Sequence, residues 1–479
     1  MRLDMRLFIL LIVGFGLGRA DAQETWRRTY GGYDVDEAKA VEVVDDGYVF
    51  LGSTGSFGIG GEAYLVRTDT NGELVWSRYI GGYGIDTGDD ALVSGTDIFI
   101  VGSTTGTGST YHGYLQKVES DGDIGWRRTY PGEGWEFFKS IDAHSSGYYI
   151  VGSSYSHPSG NEALLTIKVD VQGDTLWRRT LVYGNSVSGV KGLTTSDGGC
   201  ISVGTTVSDP DPGQVIVVKY DGTGAEQWIT VIGTTGEERV KGAALATDGG
   251  IVVIGSSNGF YDHRSMMLAK VGVSGDSLWM RGIGDQVGNW EATAIDERSD
   301  GGFAISGYTD AVGWGNIEGY LLLTDHEGYY QFGTTYGHLE DDPLHDVKVL
   351  DIGFILCGST NSFGPGIQAV FAVRTGIDGL TENQQVIQTF DPVSVPTHHR
   401  STFSFHPNPV TAGSVLNIKT NENTSLRFIT LTDLSGRVVA QERCTGCNNY
   451  AVPQLARGVY HITVEFSDGI RTGQPLLID

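Results

Sequence analysis

Residues 64–80 read YLVRTDTNGELVWSRYI, which is a strand-like run, a turn signal and a tryptophan in that order. The Asp69 carboxylate can accept backbone N–H bonds and Gly72 can adopt a positive φ, so the middle of this stretch predicts a tight turn between two strands. The same acid-x-x-Gly pattern returns at 119–122, 170–173, 221–224 and 325–328. The stretch is therefore one copy of a repeated hairpin.

The tryptophan of this hairpin belongs to a repeat with a period of 50 or 51 residues, and Phe332 takes the seventh place. The members of the repeat are Trp26, Trp76, Trp126, Trp177, Trp228, Trp279 and Phe332. A period of this length equals one four-stranded sheet and is typical of a β-propeller. We expect each tryptophan to pack between neighbouring sheets, where its large apolar area is worth burying.

A short apolar run stands in every repeat unit, at 47–54, 98–104, 147–154, 198–206, 249–257, 301–309 and 353–360. These runs are rich in β-branched and aromatic residues and are too short for helices, so they predict buried strands. Seven runs need seven tryptophan-type strands, and the Trp26 strand precedes the first run. We therefore predict an all-β chain in which residues 23–380 form a seven-bladed propeller closed by the N-terminal strand. Six or eight blades are the alternatives.

The composition of the chain limits its destinations and partners. Residues 1–22 have the basic start, short apolar core and Ala20-Asp21-Ala22 end of a secretory signal peptide. No later segment is apolar and long enough to span a bilayer, so we expect no transmembrane segment in the mature chain. The net charge of −26 argues against binding to nucleic acid or to an anionic membrane.

The four cysteines fall into two groups. Cys200 and Cys357 lie in apolar runs of distant repeat units, so we expect buried free thiols. Cys444 and Cys447 form a single C-x-x-C, for which a local disulfide is favoured over a metal site because His461 is the only other ligand candidate nearby.

Six carboxylates recur at nearly the same place in the unit, after a turn that resembles Tyr-Gly-Gly. We expect them to form a ring on one face of the propeller, where they either cap the local loops or form an acidic rim that binds cations or basic partners. They are Asp36, Asp86, Glu136, Glu238, Glu291 and Asp342.

Four lysines recur 13 or 14 residues before the glycine of the apolar run. If this strand lines the channel, the lysines form a partial basic collar. They then either pair with the acidic ring just upstream or hold an anion or acidic sugar at the channel mouth. They are Lys39, Lys139, Lys191 and Lys241.

Two further features leave alternatives open. The acidic turns at 69–73 and 119–123 hint at calcium, but glycine at the fourth position suits a hairpin better than a calcium loop. Aromatic residues expected in loops provide either a sugar- or protein-binding platform or packing between blades. They are Tyr111, Trp135, Tyr155, Tyr261, Trp290 and Trp314.

No catalytic motif stands out, since the sequence lacks an H-E-x-x-H pair, a P-loop and a helix-opening G-x-G-x-x-G. We therefore predict a non-catalytic binding or structural module without a cofactor. The alternatives are a secreted hydrolase or lyase acting on polysaccharide through channel carboxylates, and a purely structural surface-layer component.

The repeat ends near residue 380. Residues 381–400 are polar, contain two prolines and carry no repeat signal, so they predict a linker. Residues 401–479 have strand patterns of their own at 415–420, 426–436, 437–442 and 458–466.

Three motifs of this last segment resemble the carboxy-terminal sorting domain of the type IX secretion system. The 405–409 sequence FHPNP resembles its F-x-P-N-P opening, 433–439 its D-x-x-G-R-x-V hairpin, and 455–462 its L-x-x-G-x-Y-x-I strand. The residues that match are Phe405, Pro407, Asn408, Pro409, Asp433, Gly436, Arg437, Gly458 and Tyr460. The resemblance implies a small β-sandwich that an outer-membrane translocon recognises in a Gram-negative bacterium. The cargo, exported through the periplasm, is then released or attached to the surface.

The repeat hairpin, as at 69–76 and 170–177, is similar to the tryptophan-docking motif of pyrroloquinoline-quinone-type propellers. This resemblance implies the propeller fold. It does not imply the chemistry of those enzymes, because their vicinal disulfide and dedicated calcium site are not visible in this sequence.

Overall fold

The computed structural model describes residues 25–58, 60–82, 84–106, 108–209, 212–285, 287–381, 385–390, 403–420, 426–433, 437–443, 449–466 and 471–479. Within these ranges the regular structure consists of β-strands. No helix in the described part is long and apolar enough to cross a membrane. The predicted all-β class is confirmed for these residues, and the predicted signal peptide at 1–22 lies outside them.

Seven sheets lie in the described residues before 391, and six of them have four consecutive strands. The first contains Asp36–Val44, Gly47–Thr54, Glu62–Asp69 and Leu74–Ile80; the second Asp90–Ser94, Asp97–Thr104, His112–Val118 and Ile124–Tyr130; the third Glu136–His144, Gly147–Ser154, Ala163–Asp170 and Thr175–Leu181. The fourth contains Ser186–Thr194, Cys200–Val207, Gln214–Tyr220 and Glu226–Ile232; the fifth Glu238–Leu245, Ile251–Ser257, Ser265–Val271 and Ser277–Ile283; the sixth Trp290–Glu297, Phe303–Thr309, Glu318–Thr324 and Tyr330–Tyr336.

The seventh sheet combines both ends of this region. Its strands Leu344–Leu350, Gly353–Thr360 and Ala369–Thr375 are followed in space by Trp26–Gly31, which pairs antiparallel with the third of them. Val386–Phe390 then pairs parallel with Trp26–Gly31 at the edge. The N-terminal strand thus completes the last sheet, as expected. The predicted linker needs correction, because five of its residues form this edge strand.

The sheets are arranged in a circle. The first strand of each sheet contacts the first strand of the next, and Leu344–Leu350 of the seventh sheet contacts Asp36–Val44 of the first. This arrangement is consistent with a β-propeller, in which the first strands are innermost.

The repeated tryptophan links each sheet to the next. Trp26 Nε1 donates to the carbonyl of Thr70 at 3.1 Å, and Trp76 Nε1 donates to that of Ser120 at 3.0 Å. A Cβ at Gly72 would lie 2.9 Å from the Trp26 ring, so only glycine lets the ring lie on this turn. The expected packing of the tryptophans between sheets is confirmed. The turn that receives each ring is the hairpin of the next sheet, which begins with an acid except under Trp228, where Gly272 takes that place.

The hairpin itself has the predicted chemistry. Asp69 Oδ1 accepts the N–H groups of Asn71 and Glu73, both at 2.8 Å, and Gly72 has a φ of 75°. The acid and the glycine therefore stabilise the turn directly, which explains these residues without a calcium ion.

The glycine of each apolar run is required for a different reason from the glycine of the hairpin turn. In six of the seven sheets the innermost strand has a β-bulge opposite this glycine. In the first sheet a Cβ at Gly52 would lie 1.9 Å from the carbonyl oxygen of Glu37. The bulge thus requires glycine on the neighbouring strand, and it turns the bulged residue toward the channel.

The carboxy-terminal segment contains two sheets. One comprises Phe403–His406, Val415–Thr420 and Asn449–Ala451, and the other Leu426–Thr432, Val438–Arg443, Gly458–Phe466 and Arg471–Ile478. Leu416, Leu431 and Ile462 belong to one buried cluster shared by both sheets.

Cys200 and Cys357 are buried free thiols, as predicted. Burial raises the pKa of Cys200 to about 12, so it stays protonated. Cys444 and Cys447 lie outside the described residues, and their predicted disulfide stays a prediction.

Candidate functional site

The innermost strands of all seven sheets surround a central channel with a cavity of about 380 Å³. Five lysines and a larger number of carboxylates line it. The bulges place Lys39, Lys139, Lys241 and His345 at one level of the wall. The predicted collar of lysines therefore faces the channel.

Every lysine of the collar is paired with a carboxylate. The ion pairs are Lys39 with Glu37 (3.3 Å) and Asp89 (4.0 Å), Lys139 with Asp89 (2.7 Å), Lys191 with Asp90 (2.9 Å), and Lys241 with Glu291 (3.1 Å). Except for Glu291, these partners differ from the acidic ring that the sequence suggested. Burial alone would raise the pKa of Asp89, but Lys139 and Lys39 together lower it below its ordinary value.

A fifth lysine was missed from the sequence. Lys348 Nζ lies 2.7 Å from Glu42 Oε1, and the two residues come from the first and the seventh sheets. Burial alone would lower the pKa of Lys348, but Glu42 and Asp346 raise it above its ordinary value. A repeat search does not find this lysine because no other unit has lysine at its level of the channel.

Four aspartates form a second set that the sequence did not reveal. In each of them one carboxylate oxygen accepts the next backbone N–H of its own strand, and the other accepts a backbone N–H of the neighbouring innermost strand. The bonds between strands run from Ile141 to Asp90 (3.1 Å), Thr194 to Asp142 (2.5 Å), Val349 to Asp296 (2.8 Å) and Val41 to Asp346 (2.8 Å). These aspartates thus tie adjacent sheets together around the channel.

The buried position of Asp346 raises the pKa of its carboxyl group. Burial raises its pKa to about 6, although Lys348 and the N–H of Val41 act in the opposite direction. Burial also raises the pKa of Asp296. His345 at the mouth has a pKa lowered to about 4 by burial, so it is neutral at pH 7.

The predicted acidic rim is wrong for five of its six residues, because their side chains are buried: Asp36, Asp86, Glu136, Glu238 and Asp342. They cap loops, which was the other interpretation. Asp36 Oδ2, for example, accepts the N–H of Gly32 and the hydroxyl of Ser56, both at 2.7 Å. Burial raises the pKa of Asp36, and these hydrogen bonds oppose it.

Glu291 does not belong to this ring. In the third sheet, Glu136 of the first strand pairs with Ser154 of the second strand. In the sixth sheet the residue at this position is Trp290, which pairs with Thr309. Glu291 stands one residue later, hence on the other face of the strand, where it meets Lys241. In the fourth sheet the same position holds Val187, opposite Thr206.

The six loop aromatics divide between packing and exposure. Trp135 is 49% exposed and meets Tyr111 and Tyr155 edge to face, with ring centroids 5.9 and 6.1 Å apart. Trp314 is 83% exposed, whereas Trp290 is only 7% exposed. Trp290 and Tyr261 line a groove of about 710 Å³ beside the outermost strand of the fifth sheet.

Within the described residues, no group of three or more His, Cys, Asp or Glu side chains is placed to hold a metal ion. The sorting motif occupies defined places in the last segment. Asn408 Oδ1 accepts the N–H of Leu477 at 2.9 Å, which ties the F-x-P-N-P stretch to the final strand. Asp433 accepts the backbone N–H of Arg437 at 3.1 Å, and the Tyr460 hydroxyl donates to the carbonyl of Ala456 at 2.9 Å.

Other motif residues lie as follows. Phe405 packs against the shared core, Gly458 begins its strand, and Pro407 and Pro409 follow the strand Phe403–His406. Gly436 lies outside the described residues.

Comparison with known families identifies the carboxy-terminal segment. Residues 404–478 match the secretion system C-terminal sorting domain, which confirms the resemblance seen in the motifs. This domain indicates export through the type IX secretion system to the cell surface or the medium of a Gram-negative bacterium. No curated protein shows significant sequence similarity to the chain.

Solved structures resemble the chain weakly. The periplasmic gluconolactonase of Pseudomonas aeruginosa is 10% identical with a TM-score of 0.45, over 90% of this chain and 99% of that one. Puromycin hydrolase is 14% identical with a TM-score of 0.44, over 68% of this chain and 50% of that one. The extracellular domain of a putative one component system from B. thetaiotaomicron is 10% identical with a TM-score of 0.42, over 92% of this chain and 56% of that one. The chain spans about half the length of the last two, and none of these similarities bears on its activity.

Proposed function

We propose that this chain is an exported, non-catalytic binding module. The seven sheets that are arranged in a circle are the blades of a seven-bladed propeller, which the N-terminal strand closes. The two sheets after residue 402 form a β-sandwich that the type IX translocon recognises. The proposal rests on the channel, where the lysines pair with carboxylates and the aspartates accept hydrogen bonds from backbone N–H groups. Aromatic side chains, in contrast, are exposed to solvent outside the channel.

The arrangement of Asp346 supports a structural role for the channel carboxylates. Both of its oxygens accept backbone N–H groups, from Val347 and from Val41, each at 2.8 Å. A general acid or base must have an oxygen within hydrogen-bond reach of the substrate proton. Here the two oxygens are directed at the protein backbone, so the raised pKa follows from burial between strands.

Export is tested by deleting residues 401–479. We expect the truncated chain to be held inside the native host, because the translocon would have no signal to recognise. If the truncated protein still reached the medium or the surface, the sorting role would be refuted. The untruncated chain, expressed at the same level, is the control.

A polysaccharide-acting enzyme is the second candidate, favoured by one observation. Asp346, with its pKa raised to about 6, and Asp90, which pairs with Lys191, line the same cavity. Such a pair of titratable groups with different environments is a reasonable acid–base candidate.

The two candidates differ in the effect of Asp346→Asn. If the channel is structural, the variant is less stable, and neither it nor the wild type releases reducing ends or unsaturated products from polysaccharide. Turnover by the wild type that Asp346→Asn abolishes without unfolding would establish the enzyme instead. Product release is measured by chromatography after prolonged incubation with neutral and acidic polysaccharides.

A further inference from the structure

The groove beside the outermost strand of the fifth sheet, Ser277–Ile283, is built from departures from the repeat. Trp290 stands where five other sheets have a buried, loop-capping Asp or Glu. Tyr329 stands three residues before Phe332, where the other hairpins have Glu73, Asp123, Asp174, Ala225 and Asp276. Two positions that are usually acidic thus carry aromatic rings in the sixth sheet, and both line the same groove.

Two glycines open this space. Gly282 is the next-to-last residue of the outermost strand of the fifth sheet, at a position where the other sheets have Tyr, Thr or Val. A Cβ there would lie 2.5 Å from the Phe260 ring. Gly333 lies in the outermost strand of the sixth sheet, and a Cβ there would lie 1.7 Å from the Tyr320 hydroxyl. The backbones at Gly282 and Gly333 therefore leave room for the rings of Phe260 and Tyr320.

The side chains that form the floor of the groove are buried and contact one another. Trp290 and Tyr320 are both 7% exposed and meet edge to face, with their ring centroids 4.9 Å apart. Trp290 Nε1 donates to Asp285 Oδ1 at 3.2 Å, and the N–H of Val287 donates to the same oxygen at 3.0 Å. The ring and the carboxylate thus hold each other in place.

The rim supplies an exposed aromatic face and a donor. Tyr329 and Tyr330 are 52% and 57% exposed. The Arg281 guanidinium lies 3.7 Å from the centroid of the Tyr329 ring, and its Nε donates to the carbonyl of Glu327 at 2.7 Å. The hydrogen bond of Val287 is the main reason that the pKa of Asp285 lies below its ordinary value, so at pH 7 this carboxylate only accepts hydrogen bonds.

We infer that this groove binds a neutral oligosaccharide of pyranose units, an inference that specifies the ligand of the binding module proposed above. The C–H face of a pyranose ring stacks on aromatic side chains, while Asp285 accepts from sugar hydroxyls and Arg281 donates to them. A site that combines aromatic walls with a few fixed polar groups is typical for a small ligand, and the volume lies within the common range of about 300–1,000 Å³. The net charge of −26 disfavours an acidic sugar.

The test titrates the mature full-length protein with cellopentaose, maltopentaose, mannopentaose and xylopentaose. Trigalacturonic acid is the acidic contrast, and a proline-rich decapeptide is the non-sugar contrast. Tryptophan fluorescence reports binding because Trp290 forms the floor, and isothermal titration calorimetry measures affinity. We expect at least one neutral pentasaccharide to bind more tightly than both contrasts.

Variants assign the binding to the groove. Tyr329→Asp, which restores the residue type of other hairpins, and Asp285→Asn should each weaken binding about tenfold or more. Trp314→Ala and Trp135→Ala remove exposed tryptophans outside the groove and should leave the affinity unchanged. Circular dichroism and the melting temperature verify that each variant is folded.

The remaining outcomes separate the two proposals. No binding of any neutral pentasaccharide, or tighter binding of either contrast, refutes the sugar groove. Loss of sugar binding in Trp135→Ala but not in Tyr329→Asp also refutes it, while leaving the proposed binding function intact. Sugar binding accompanied by cleavage would support the groove and refute the non-catalytic function.

Discussion

The channel and the groove of the sixth sheet use the same repeat in opposite ways. In the channel, charged side chains bind each other and the backbone of the next sheet, as in the bond from Val41 to Asp346. In the groove, aromatic rings replace repeat carboxylates and two glycines remove side chains. The residues that agree between repeat units therefore mainly stabilise the circular arrangement of the sheets. A cluster of departures from the repeat is the better indicator of a binding site.

The largest effect should come from the contact that closes the circle. Trp26 is buried and docks on the turn of the first sheet through Nε1. Trp26→Ala should lower the free energy of unfolding by about 4 kcal/mol, because a large buried ring and a hydrogen bond between sheets are both lost. The measurement is urea unfolding followed by tryptophan fluorescence; all tryptophans precede residue 315, so the signal reports on the circular sheets alone.

Trp314→Ala is the matched control for this prediction. The Trp314 side chain is 83% exposed, so its removal should change the free energy of unfolding by less than about 0.5 kcal/mol. Equal effects of the two variants would show that the docking of Trp26 does not hold the circle closed.

The next effect concerns a buried loop-capping acid. Glu136 Oε1 accepts from Ser154 at 3.0 Å and from Ser156 at 2.5 Å, and it pairs with Arg178 at 2.6 Å. Glu136→Ala leaves these donors unpaired, and since the Arg178 side chain keeps some contact with water we expect a loss of about 2–3 kcal/mol. Glu133→Ala, in the exposed part of the same loop, should be neutral within about 0.5 kcal/mol.

The contribution of the channel to stability should depend on pH. Asp346 has a pKa near 6 in the folded chain, above its ordinary value, so the folded state binds the proton more tightly than the unfolded state. Stability from this group is therefore fully present below about pH 4 and is lost as the pH rises through about 6. The difference in unfolding free energy between the wild type and Asp346→Asn should fall by about 2 kcal/mol over that window. A difference that stayed constant or rose would contradict the burial of this carboxyl.

Much of the fold followed from the sequence because the repeat reports packing that every sheet needs. Each conserved position of the repeat is explained by one packing requirement that recurs from sheet to sheet. Gly72, for example, is glycine because the Trp26 ring packs on it. The strand at 386–390 was missed because it adds to an edge outside the repeat.

The sites were harder to predict, for a physical reason. A one-residue shift along a strand moves a side chain to the other face, so Glu291 appeared to belong to a ring that Trp290 occupies. Whether a recurring acid is exposed or buried depends on the bulge and the loop around it, which spacing does not reveal. The backbone N–H groups that Asp90 and Asp346 bind lie on other sheets, about 50 and about 300 residues away in the sequence. A local sequence pattern therefore cannot predict these hydrogen bonds.

The smallest expected effect on stability concerns Tyr329, on the rim of the groove. Tyr329 is 52% exposed, and the five hairpins that precede a tryptophan have Asp, Glu or Ala in its place without loss of the turn. The carbonyls of Glu73 and Asp123, for instance, accept the same backbone N–H bond from the acid of their turns. Tyr329→Asp should therefore change the free energy of unfolding by less than about 0.5 kcal/mol, measured by the same urea unfolding. If the substitution instead cost more than about 1 kcal/mol, the groove aromatics would be packing residues like Trp26. A neutral effect would mean that the fold does not need the tyrosine, so its presence on the rim calls for an explanation outside folding, such as a ligand in the groove.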